Sequence, residues 1–90
     1  MNKKECKIIG YGSYADKETG ELKFRICMCV DGNNPEKYTG KVAVFAFLSQ
    51  TDDLENKLKR AVINENVKCY YTTEENIVTG KTRVSDIYVD

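Results

Sequence analysis

Histidine is absent from this 90-residue chain, and it contains a single proline. Without imidazole there is no side chain whose ordinary pKa lies near neutrality, so the usual proton shuttle and the commonest metal ligand are both missing. No nucleophile stands beside a recognisable base. The adjacent carboxylates Asp52 and Asp53 suit a helix start better than an enclosed acid–base pair. These absences argue against an enzyme. Neither sign of charge is in excess, since 14 Lys and Arg balance 14 Asp and Glu. No long-range field then draws the chain to polyanions, and a nucleic acid would have to be held by a local patch. Long apolar runs are lacking too. The longest, Val42 to Leu48, is far too short to span a bilayer, and the Met-Asn-Lys-Lys start leads into no signal-peptide stretch. A cytoplasmic protein with no membrane partner is expected.

What is present bounds the fold. Ninety residues make one domain, 1–90, with a core no more than one layer thick. Cys6, Cys27, Cys29 and Cys69 could form two disulfides or a four-thiolate zinc site. Structural zinc usually draws paired thiolates from turns, however, and the one close pair here, Cys27 and Cys29, lies inside an apparent strand. Reduced thiols in or near the core, with no metal or other cofactor, are the expectation.

Alternation marks the strands. Residues 5–12 read as a first strand that bends at its glycines, and 16–20 as a turn. Over 21–30, Phe24, Ile26, Met28 and Val30 fall on one face, and Lys23, Arg25, Cys27 and Cys29 on the other. Asp31 to Pro35 breaks the chain. Residues 38–49 form a third strand, with Val42, Val44, Ala46 and Leu48 opposed to Lys41, Ala43, Phe45 and Phe47. Both faces are apolar. Either the strand is buried on both sides, or Phe45 and Phe47 face outward and need a cover; a one-residue slip in register would exchange the two sets.

Residues 52–63 read as a helix, with Asp52 capping, Glu55 reaching back, and Leu54, Leu58, Ala61 and Val62 as its apolar stripe. Strands follow at 67–73 and 81–89. The triplet Gly80-Lys81-Thr82 has the ending of a phosphate-binding loop, but the position that needs the other glycine is Glu75, and a strand follows instead of a helix. Thr79-Gly80 echoes Thr19-Gly20. Each pair precedes a basic strand, so both glycines are expected to turn hairpins at positive φ.

Three strands, a short helix and two strands, from about residue 5 to the end, make an all-β chain with one helix between strands 3 and 4. In this order and these lengths it resembles the OB-fold, a five-stranded Greek-key barrel. In size it is similar to the compact single-stranded DNA-binding proteins of bacterial viruses and mobile elements. It departs from the cellular single-strand-binding proteins, which carry a long flexible tail and an acidic terminal peptide. The resemblance implies single-stranded DNA or RNA bound with low sequence preference across strands 2 and 3 and at the first and last hairpins.

Such binding needs cations for phosphates and flat rings for bases. Lys23 and Arg25 on the second strand and Lys41, Phe45 and Phe47 on the third supply this mixture on one face. Lys68 and Tyr70 project from the fourth strand, Tyr11 and Tyr14 flank the first hairpin, and Lys81 and Arg83 stand at the last. Each tyrosine taken singly is better explained as a half-buried strand residue, and each cation as the ordinary solvation of an outer face. Glu18, Glu74, Glu75 and Asp16 would weaken phosphate attraction. A homodimer covering the phenylalanines is expected alongside DNA binding. The alternative is a protein-interaction module, such as a replication accessory factor or an inhibitor carried by a mobile element, using the same face.

Overall fold

A computed structural model describes residues 3–31, 40–64 and 66–90. The elements are β1 (Lys4–Ala15), β2 (Leu22–Asp31), β3 (Lys41–Ser49), α1 (Asp52–Ile63), β4 (Cys69–Glu75) and β5 (Thr82–Val89). The five strands form one antiparallel sheet in the order β3-β2-β1-β4-β5. The second half of β1 pairs with β2, and its start pairs with β4 through Lys4↔Tyr71, Glu5↔Tyr70 and Cys6↔Cys69.

Closure into a barrel, expected from the element order, is not reached. Strands β3 and β5 approach within 8 Å between Cα atoms, yet no ladder joins them among the described residues. Accordingly Val42, Val44 and Leu48 on β3 are only half buried, although they pack against the core. The break expected over Gly32 to Pro35, and positions 38 and 39 of the expected third strand, lie outside the described residues.

The alternation of β2 decides where the core sits. Phe24, Ile26, Met28 and Val30 are all buried, and they meet Leu54, Leu58 and Ala61 of the helix and Tyr71, Val84 and Ile87 of the last two strands. Ile26, Met28, Leu58 and Ile87 are fully sequestered, each worth about 1.5–3 kcal/mol relative to exposure. Two extra residues disturb the two-residue period. Ile9 is skipped in the β1–β2 register and Ser85 in the β4–β5 register. The first bulge keeps Ile8 and Tyr11 on the core side; the second lets Val84 and Ile87, three apart, both point inward.

The helix spans the expected residues, but its cap is Thr51, whose hydroxyl accepts from the Leu54 amide at 3.1 Å. Capping requires the extended residue just before the first helical one, and Thr51 has that backbone, whereas Asp52 is already helical. Glu55 turns forward to Lys59 at 2.9 Å instead of back to the cap. Val62, assigned to the apolar stripe, lies at its margin and is exposed. No helix among the described residues is long and apolar enough to cross a membrane.

Both hairpin glycines have positive φ, 73° at Gly20 and 70° at Gly80. The two turns are copies of each other. In the first, the Asp16 carboxylate accepts from the Glu18 and Thr19 amides, the Thr19 hydroxyl accepts from the Glu21 amide, and Gly20 N–H returns to the Asp16 carbonyl. In the second, Asn76, Val78, Thr79, Lys81 and Gly80 repeat every one of these bonds. Gly80 is therefore a hairpin residue.

Candidate nucleic-acid interface

The register of β1, β2 and β3 places side chains on the outer face in rows. Gly12 faces Arg25, and Arg25 faces Phe47; Tyr14 faces Lys23, and Cys27 faces Phe45. Because β2 sends its large apolar residues inward, this row is what remains to meet solvent. Phe45 is 44% and Phe47 54% exposed. The strand is thus not buried on both sides: it is a sheet edge that shows its phenylalanines.

These side chains touch. The Arg25 guanidinium lies over the Phe45 ring, 4.8 Å from its centroid, and the Tyr14 ring meets Phe47 edge-on at 6.2 Å and 88°. Gly12, Ser13, Tyr14, Arg25 and Phe47 line an open cleft of about 590 Å³. Arg25 makes no ion pair among the described residues. A cation over one ring and beside a second offers a base a flat surface, and offers a phosphate a charge that is not already neutralised.

The remaining candidates are distributed elsewhere. Lys23 leans to Asp16 at 3.5 Å, beside the cluster. Two backbone amides in the turn, and then this lysine, hold the Asp16 carboxyl below its usual range. Lys41 stands at the far end of β3 and is paired with Asp31 at 2.6 Å, which raises its pKa. Tyr11 turns to the core side, edge-on to Phe24 at 5.4 Å, because the Ile9 bulge restores its inward parity; it does not join the outer cluster. Tyr70 is outward but belongs to the other ladder, opposite Glu5 and Tyr88, and Lys68 precedes it, exposed. Arg83 is paired with Glu74, and Lys81 lies with both around an open hollow of about 660 Å³ beside the β4–β5 turn. Of the proposed residues, then, Tyr14, Arg25, Phe45 and Phe47 converge with Lys23 adjacent, while Tyr11, Lys41, Lys68, Tyr70, Lys81 and Arg83 do not. Gly12, not expected from the sequence, also lines the cleft; its even spacing from Tyr14 puts it on the same face.

The two buried thiols offer little chemistry. Cys6 and Cys69 are buried opposite each other. Burial, then the neighbouring Cys69 and Glu5, pushes the Cys6 thiol up to about 12, so it stays protonated and weakly nucleophilic at neutral pH. Among the described residues no group of three or more potential ligands could hold a metal ion.

Comparison with family models, with curated proteins and with solved structures finds no match to this chain.

Proposed function

We propose that this chain binds single-stranded DNA with low sequence preference on the outer face of β1, β2 and β3. The observation that carries this reading is the contact cluster of Tyr14, Phe47, Arg25 and Phe45 across three neighbouring strands. Rings of this kind are sequence-tolerant, because every base has a face to stack. The strand order and the helix between β3 and β4 support an OB-like arrangement, with its β3–β5 seam open. A cytoplasmic setting keeps the four free cysteines reduced.

A second reading, a protein partner or a second copy of the chain on the same face, is favoured by one observation: β3 is a sheet edge carrying two exposed phenylalanines. Fluorescence anisotropy of labelled oligothymidine at two salt concentrations separates the readings. Single-strand binding predicts an affinity that falls with salt and drops roughly 5- to 150-fold in Phe45→Ala, the equivalent of losing one stacked base. It also predicts a shallower salt slope in Arg25→Ala. No binding at low salt, with dimerisation abolished by Phe45→Ala, would establish the protein interface instead.

A further inference from the structure

Strand β1 carries two glycines, Gly10 and Gly12, that neither positive φ nor crowding explains. Among the described glycines, Gly20, Gly40 and Gly80 have positive φ and Gly10 and Gly12 do not; a Cβ built on Gly10 or Gly12 meets nothing within 4 Å. Glycine inside a strand weakens it, and marks a bulge, a tight bend, or a place where a ligand or another backbone comes close. Gly10 adjoins the Ile9 bulge, which accounts for it in part; Gly12 has no such neighbour. Both face outward, opposite Cys27 and Arg25, so the outer row of β1 runs Tyr14, Gly12, Gly10, Lys7, Glu5, with no side chain in its middle.

At the far end of that row lies a second aromatic pair. Glu5 faces Tyr70, and Tyr70 faces Tyr88 across β4 and β5. The Lys3 ammonium sits 4.0 Å from the centre of the Tyr88 ring, and Lys7 and Lys68 are exposed nearby. Rings with cations thus occur at both ends of a bare strip of backbone. Glu5 is the one acid in the row.

We propose that single-stranded DNA follows β1, crossing the bare floor at Gly12 and Gly10 from the Tyr14–Phe47–Arg25–Phe45 cluster to a second stacking site at Tyr70 and Tyr88. This rests on the single-strand binding proposed above and extends it from a patch to a track. From Tyr14 to Glu5 the track measures roughly 30 Å at strand rise. Cations and rings at both ends of the strip favour a polynucleotide, whose phosphates and bases they match, over a peptide.

The test uses the whole chain with oligothymidines of about 5 and about 16 nucleotides, lengths at the two ends of what one such domain covers. The expected result is that the long oligomer binds at least about tenfold more tightly, and that Tyr88→Ala removes this gain while leaving the short oligomer unaffected. Gly12→Val is expected to weaken both by about tenfold or more while the melting temperature holds or rises, because valine suits a strand. Equal affinity for the two lengths after correction for the number of binding registers, or Gly12→Val binding like the unmutated chain, overturns the track and leaves the patch standing. If neither oligomer binds, both proposals fall. An oligouridine that binds more tightly than oligothymidine would reassign the ligand to RNA.

Discussion

The β1–β2 and β4–β5 hairpins share a backbone and differ in almost everything placed on it. Each turn has an Asx side chain gathering two amides, a threonine hydroxyl gathering a third, and a glycine at positive φ. The first turn displays Lys17 and Glu18 where the second displays Ile77 and Val78, 96% and 93% exposed. The hollow beside the first turn is walled by Tyr14, Arg25 and Phe47; the one beside the second holds Arg83 already paired with Glu74. The register sets the turns at opposite ends of β1, one beyond Ala15 and the other beyond Lys4. The same turn geometry therefore carries two different surfaces, and only neighbouring side chains separate the proposed base-binding face from the other.

The largest effect that could break this contrast is on binding. Tyr14→Ala is expected to lower oligothymidine affinity roughly 5- to 150-fold, as for one stacked base, whereas Ile77→Ala should leave it within about twofold; comparable losses from both would erase the distinction. Next comes the shared backbone. Gly20→Ala and Gly80→Ala should each cost about 1–2 kcal/mol in urea unfolding, because alanine resists positive φ, and a large difference between them would show that the turns are not equivalent.

A smaller effect separates Asp16 from Asn76. The Asp16 carboxyl has a folded pKa below its ordinary value. Its contribution is thus fully present above the unfolded pKa and is lost as the pH falls through the folded one. Thermal melts taken from about pH 5 downward should show less acid loss in Asp16→Asn than in the unmutated chain, and more in Asn76→Asp. Smallest of all, giving the second turn the residues of the first, Ile77→Lys with Val78→Glu, should change stability by no more than about 0.5 kcal/mol, since both side chains are in water.

The sequence made the second strand and the helix legible because each has one clean apolar stripe, and both turns legible because only glycine takes positive φ at low cost. Tyr11 and Tyr88 were not legible. A single skipped residue, Ile9 or Ser85, reverses every later side chain in its strand, and no local pattern announces where the skip falls. Barrel closure was illegible for a different reason, as it depends on whether two distant strands share a ladder, and the periodicity of each strand alone says nothing of that. Phe45 and Phe47 were correctly placed opposite Val44 and Ala46, but which face was inside needed the pairing of Phe45 with Cys27 and of Ala46 with Ile26.

The most direct test of the proposed base-binding face is a two-dimensional amide NMR titration of the labelled protein with oligothymidine at low salt. Shifts gathered on Gly12, Tyr14, Arg25, Phe45 and Phe47, with the Ile77–Val78 turn unmoved, are the expected outcome. No shifts, or shifts confined to the β4–β5 turn, would contradict it.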